Sequence, residues 1–235
     1  MTETPLNEAE LAALRAYDTP TICNALEIVC PDRRALGFTT ETLICSFPEL
    51  QPMVGYARTA TIRSMEKPAK DGDAMNADRV AYYRYVEEGH GPSIMIIQDV
   101  DSRPGAASWW GEVHSAVHQA LGCLGVVTNG AVRDLDMIAD GFQFLSGTVV
   151  PSHAWVHLVS HGEPVDVCGM LTHSGDLVHA DRHGAVIIPH EAARDVAAAA
   201  ELCMRREAPI LAACKEPGFS ADVMERVLRE AKEIH

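Results

Sequence analysis

W-G-E-V-H-S-A-V-H-Q-A-L-G-C-L-G-V-V-T-N-G-A-V-R-D-L-D-M-I-A-D, Trp110 to Asp140, is the stretch on which the fold turns. Gly111-Glu112 opens a helix, and Gly122 and Gly125 close it. Leu124 to Thr128 is short, apolar and β-branched, the composition of a buried strand. Asn129-Gly130 is a turn signal. Arg133 and Asp134 therefore emerge just past a strand end, the edge at which open α/β sheets place their ligands.

Working outward, Ser93 to Asp99 (S-I-M-I-I-Q-D) reads as a buried strand, so the local order is strand, loop, helix, strand. Buried strands joined through a helix predict a parallel βαβ unit. Met53 to Ser64 alternates as a strand, and Ala74 to Glu88 suits an amphipathic helix stopped near Gly89 and Gly91-Pro92. Two short helices precede them: Asn7 to Tyr17, capped by Asn7, and Thr21 to Val29 after an interruption at Thr19-Pro20. Cys30 to Gly37 reads as a loop. Downstream, Phe142 to Val150, Trp155 to Ser160, Val165 to Met170, Asp176 to His179 and Ala185 to Ile188 are strand candidates. Their close spacing predicts antiparallel pairing or a second packed sheet. His190 to Arg206 is an Ala-rich helix that Pro209 should break, and Ser220 caps a last helix to Ile234. The whole predicts an α/β fold in a single domain, 1–235, with a core over about 15–190 and a helical extension over 191–235.

At 235 residues, 47% hydrophobic, the chain can bury a sizeable core. Its net charge of −14 argues against generic binding to nucleic acid or an anionic membrane, both of which reward a basic face. The polar, acidic start lacks the apolar core of a signal peptide, and no apolar run reaches membrane-spanning length. Seven scattered cysteines without a C-x-x-C pair read as reduced thiols, and the expected location is the cytoplasm.

The chemistry concentrates in the opening stretch. Glu112 and Asp134 are carboxylates on either side of one βαβ-like unit, suited with water to a hard divalent ion such as Mg²⁺ or Mn²⁺. Arg133 adds a permanent cation, so metal plus arginine form a clamp for a small oxyanion such as a 2-oxo acid or its enolate. The amides of Val113 and His114 at the helix start suit a carboxylate. The plain alternative is a surface Arg-Asp pair and a glutamate favoured by the helix dipole. His153, His157 and His161 recur every four residues, but on a strand they lie about 13 Å apart, too far for one metal. His114 and His118 share a helix face without the glutamate of H-E-x-x-H. His114, near the site, can assist proton transfer or be an ordinary surface histidine. Cys123, at a helix end, reads as a packed thiol. No nucleophile elbow or phosphate-binding loop is present.

Trp110-Gly111-Glu112 with Gly122-x-x-Gly125-Val126-Val127-x-x-Gly130-Ala131-Val132-Arg133-Asp134 resembles the RraA-like family, which includes class II 4-hydroxy-4-methyl-2-oxoglutarate / 4-carboxy-4-hydroxy-2-oxoadipate aldolases. Thr19 to Leu26, Gly175-Asp176, Asp181-x-x-Gly184 and Pro189 resemble further motifs of that family. The resemblance implies a β-β-α layered sandwich of the swivelling phosphohistidine-domain type with extra terminal helices, assembled as a homotrimer or hexamer with its site at a subunit interface. It implies that Asp134 binds Mg²⁺ or Mn²⁺, that Glu112 holds metal-bound water, and that Arg133 contacts the substrate carbonyl. The implied substrate-binding set is Gly111, Glu112, Val113, His114 and Arg133. The implied reaction cleaves a 4-hydroxy-2-oxo acid to pyruvate and a carbonyl product, with oxaloacetate decarboxylation through the same enolate. Alternatives within the resemblance are a non-catalytic regulator that binds a ribonuclease, or another metal-dependent lyase or hydrolase. Asn24, Thr128-Asn129 and His114 depart from the usual family residues, and Phe38 to Gln51 reads as an insertion. His114, Thr128 and Asn129 are therefore the positions expected to set substrate preference.

Overall fold

The computed structural model describes residues 4–234, and the chain enters through two helices. α1 (Glu8–Arg15) begins in a capping box: the Asn7 side chain accepts from the Glu10 amide, and the Glu10 carboxylate accepts from the Asn7 amide. α2 (Thr19–Val29) is capped by Asp18, whose carboxylate accepts the Thr21 N–H. Thr19-Pro20 thus forms the first turn of α2, not an interruption. Proline is tolerated there because first-turn amides have no intrahelical partner.

The sheet then builds on β1 (Ile44–Cys45), β2 (Met53–Arg63), β3 (Ser93–Asp99), β4 (Ser108–Trp110), β5 (Cys123–Val132) and β6 (Gln143–Val149). α3 (Gly72–Glu87) joins β2 to β3, and α4 (Glu112–Ala120) joins β4 to β5. β7 (His157–His161), a hairpin of β8 (Val165–Val167) and β9 (Met170–Thr172), and the pair β10 (Leu177–Asp181) and β11 (Gly184–Ile188) follow. α5 (Ala193–Ala213) and α6 (Ala221–Lys232) end the chain, α6 capped by Ser220 on the Val223 amide. The main strand order is β1-β6-β5-β3-β2-β10-β11, with β4 added to β5 and β7 to β2. β2, β3, β5 and β6 are mutually parallel, as the βαβ pattern predicts, and β1, β7, β10 and β11 run antiparallel to their partners.

Residue alternation separates three layers. On β2, Val54, Tyr56, Ala60 and Ile62 face helices, while Met53 and Ala57 face the other way. On β3, Met95 and Ile97 pack with Tyr82 and Val86 of α3, while Ile94 and Ile96 pack with Val165, Val167 and Met170 of the hairpin. Helices α1, α2 and α5 cover the β2–β10–β11 half of one face. The result is hairpin, sheet and helices: the mixed α/β, β-β-α arrangement with added terminal helices. Among the described residues no helix is long and apolar enough to cross a membrane.

Several local expectations change. Asn129-Gly130 is not a turn; β5 runs through it to Val132. The Asn129 side chain accepts from the Asp99 amide at 2.7 Å and donates to the Asp99 carbonyl at 3.1 Å, taking the place of a ladder partner where the pairing shifts register. Gly122 (φ +87°) ends α4, but Gly125 lies within β5, where a Cβ would meet the Gln143 carbonyl at 2.3 Å. Val165 to Met170 is not one strand but the two arms of a hairpin, turning at Cys168 (φ 54°) and Gly169 (φ 83°). α5 continues through Pro209. That proline forfeits one main-chain bond close to the helix end, and packing on α6 keeps the helix in line. Two short strands, β1 and β4, lack any sequence signal long enough to read.

Candidate functional site

The register of β4 against β5 builds the site. Ser108 pairs with Ala131 and Trp110 with Val132, and the Arg133 amide donates to the Trp110 carbonyl at 2.9 Å. Gly111-Glu112, the residues after β4, therefore lie beside Arg133-Asp134, the residues after β5. The Glu112 amide donates to Asp134 Oδ2 at 3.4 Å, and Arg133 Nε stands 3.4 Å from the same oxygen. Both side chains of that pair are about one third exposed. A Cβ on Gly111 would sit 2.4 Å from Asp134 Oδ2 and 3.2 Å from Arg133 Cγ, so only glycine lets the two strand ends close on each other. Asp134 itself adopts the left-handed conformation (φ 56°, ψ 36°), which turns its carboxylate back towards α4.

α4 starts without a capping side chain, because its N-cap is Gly111. Its first turn carries Glu112 and Val113, both exposed, and no N-cap side chain takes the amides of Val113 or His114. A helix start of this kind presents amides and positive dipole to an anion.

Arg133 divides two cavities. On one side it lines a shallow pocket of about 480 Å³ with Asp134, Asp136, Met137 and Val149. On the other it lines a cleft of about 1010 Å³ with His114, Trp109, Arg79 and Lys67. Cations predominate in that cleft: Lys67, Lys70, Arg79 and Arg133 against Asp71. In a chain of net charge −14, such a concentration focuses a positive field on one opening.

His114 lines this cleft, its ring 4.4 Å from that of Trp109. Burial pushes its pKa down to about 3, helped by His118, Arg79 and Arg133 nearby, so it is neutral at ordinary pH. Its Nδ1 and the Nε1 atoms of Trp109 and Trp110 are buried without a hydrogen-bond partner. His118 is fully buried. Its Nδ1 lies 2.7 Å from the His114 carbonyl and so carries the proton it donates there. Its Nε2 consequently accepts from Tyr82 Oη at 2.7 Å. His118 is a structural histidine, held neutral by burial with its pKa down to about 4. Of the triplet, His153 lines the large cleft, His157 starts β7 and His161 packs on Tyr85. Cys123 is buried, its thiol pushed up to about 12 by that burial. Among the described residues no group of three or more His, Cys, Asp or Glu is gathered to hold a metal.

The structure brings Gly111, Glu112, Arg133 and Asp134 into one contact set and puts Val113 and His114 on the adjoining helix turn. It separates Thr128 and Asn129 from that set: Thr128 is buried with Oγ1 accepting the Gly130 amide, and Asn129 is spent on Asp99. Asn24 is exposed on α2, whose packing partners are α5, β10 and β11. Of the unusual residues, His114 reaches the cleft and these others serve the framework or the surface. Sequence reading missed Lys67, Met75, Arg79 and Trp109. The i,i+4 spacing of Met75 and Arg79 was a usable signal, since it puts both on one helix face.

The RraA-like family profile, described as Aldolase/RraA, matches residues 19–187. Among solved structures, an uncharacterised protein from Pseudomonas syringae pv. tomato is 20% identical, with a TM-score of 0.70 over 100% of this chain and 98% of that one. RraAS2 of Streptomyces coelicolor, described as an unusual member of the RNase ES inhibitor RraA protein family, is 19% identical, with a TM-score of 0.66 over 88% and 98%. A protein described among novel cellulases from gut-associated microbes is 16% identical, with a TM-score of 0.71 over 88% and 89%. At these identities the likeness is one of fold.

Proposed function

The chain belongs to the RraA-like family, and from that premise we propose that it is a divalent-metal-dependent carbon–carbon lyase acting on a 4-hydroxy-2-oxo acid. The observation that carries this reading is the β4/β5 register, which brings an uncapped helix start, a glutamate, an arginine and an aspartate together at two adjoining strand ends.

The donor set fits Mg²⁺ or Mn²⁺. Such ions keep several waters and need only one or two protein carboxylates, which Asp134 and the neighbouring Glu112 can supply. Asp134 would hold the ion directly, and Glu112 would hold one of its waters. When bound, the ion supplies Lewis-acid polarisation of the 2-oxo group.

The protein's own groups do the rest. The amides of Val113 and His114 receive the substrate carboxylate at the positive end of α4. Arg133 faces the 2-oxo oxygen and stabilises the negative charge that gathers there. Glu112 takes up the C4 hydroxyl proton through water. The C3–C4 bond then breaks, its electron pair moves to C3 as the enolate of pyruvate, and protonation at C3 releases pyruvate beside the carbonyl product. Loss of CO₂ from oxaloacetate leads to the same enolate. Val113 on the cleft side of Arg133, and Met137 and Val149 on the other, are exposed apolar side chains that another subunit of a homotrimer or hexamer would cover.

Pyruvate release from 4-hydroxy-4-methyl-2-oxoglutarate and oxaloacetate, with Mg²⁺ and then EDTA, is the direct test. Turnover should need the metal, Asp134→Ala should abolish it, and Arg133→Ala should slow it by about two powers of ten or more. Absence of turnover on every 4-hydroxy-2-oxo acid tried, or turnover indifferent to EDTA, overturns the reading. The rival, a ribonuclease-binding regulator, has no need of Glu112 or Arg133. Metal-dependent turnover lost with either residue argues against it.

A further inference from the structure

Past Trp109 and Arg79, the cleft beside Arg133 continues into a smaller recess of about 230 Å³. Its walls are mostly apolar: Trp109 on one side, Met75 of α3 on another, Leu158 and Val159 of β7 behind. A dry apolar cavity of roughly 150 Å³ already admits a benzene ring. Lys70, at its edge, is ion-paired to Asp78 at 2.5 Å. Arg79, which lines both cavities, makes no ion pair or hydrogen bond among the described residues, in a chain that carries 33 acidic side chains.

We propose that this recess is the subsite for the substituent on C4 of the substrate, that the substituent is a ring-sized apolar group, and that Arg79 reads an anionic group at its rim. The proposal rests on the lyase reading and adds the substrate class. The cradle at α4 and Arg133 accounts for the pyruvyl half, and of the two cavities beside Arg133 the cationic cleft is the one that shares its lining residues Trp109, Met75 and Arg79 with an apolar recess. Trp109, itself buried and held by the rings of His114 and Tyr82, gives the recess a rigid aromatic wall. Arg79 supplies the planar fork that a carboxylate matches with two hydrogen bonds. A substrate of this class is 4-(4-carboxyphenyl)-4-hydroxy-2-oxobutanoate. Its C3–C4 bond breaks, the hydroxyl proton leaves oxygen, a proton adds to C3, and pyruvate and 4-carboxybenzaldehyde result without an oxidant or reductant.

Two measurements test it. The first compares kcat/KM with Mg²⁺ for the carboxyphenyl substrate, its phenyl analogue and 4-hydroxy-2-oxopentanoate. The wild type should prefer them in that order. Arg79→Ala should cut the carboxyphenyl-to-phenyl ratio by about tenfold or more, the size of one charge-assisted hydrogen bond. Met75→Trp, which fills the recess, should collapse the phenyl-to-methyl ratio. A wild type that prefers the methyl substrate, or ratios that neither variant moves, overturns the subsite.

The second uses calorimetry with 4-(hydroxymethyl)benzoate, an unreactive stand-in for the aldehyde product. Binding that Arg79→Ala weakens, with no pyruvate released from any compound, keeps the recess and sinks the lyase reading. Turnover of oxaloacetate and 4-hydroxy-2-oxopentanoate with no binding of the benzoate keeps the lyase reading and sinks the recess.

Discussion

At the scale of single residues, the site depends on an atom that is missing and on a backbone angle that is costly. Gly111 matters because a methyl group there would occupy the space of Asp134 Oδ2. Gly111→Ala should therefore leave the fold intact while lowering activity by on the order of a hundredfold, as ångström-scale displacement of catalytic groups does. An unchanged rate together with an unchanged melting temperature would refute the close-approach argument. Asp134 holds a left-handed conformation that costs of order 1 kcal/mol or more in a residue with a Cβ. Asp134→Gly should relieve that cost, so the variant should melt at or above the wild-type temperature while losing metal-dependent turnover. A clear drop in melting temperature would mean that the carboxylate is needed for the fold and not only for the chemistry.

The elements show what the sequence could and could not disclose. Every long helix and every central parallel strand was legible, because period 3.6, β-branched runs and caps such as Asn7 and Ser220 are local. The Arg133-Asp134 pair beyond a strand end was legible for the same reason. The end of β5 was not. Asn-Gly speaks for a turn when read alone, and only the distant backbone of Asp99, which Asn129 engages through two hydrogen bonds, keeps it in the strand. β4 was hidden because three residues carry no period, although its register is what faces Glu112 towards Asp134. Pro20 and Pro209 were misread by composition: position within a helix decides the effect of a proline. Asn129→Ala should destabilise the protein by about 2–4 kcal/mol, since it strands two groups of the Asp99 backbone. Urea unfolding reads this directly, and a loss below about 0.5 kcal/mol would show that the two bonds are dispensable.

For the whole molecule, the buried histidines tie stability to pH. His118 and His179 are neutral inside the fold because burial lowers their pKa, His118 to about 4 from an ordinary 6.5. The unfolded chain takes up those protons first, so their contribution is present above pH 6.5 and is lost as pH falls towards 4. His118 alone accounts for up to about 3 kcal/mol over that window. The urea midpoint should fall between pH 7 and pH 5, and His118→Gln should blunt the fall; an equal slope in both proteins would exclude His118 as its source. The central strand β2 carries a different consequence, one of order in time. It pairs with β3, some 37 residues on, and with β10, which begins about 120 residues later. During synthesis, therefore, its Met53–Tyr56 edge waits for most of the chain to leave the ribosome. Such distant pairing is slow to form and open to wrong partners meanwhile. A nascent chain shorter than about 180 residues already holds Arg133 and Asp134, and β7 to pair with the far half of β2, but nothing yet to cover Met53–Tyr56.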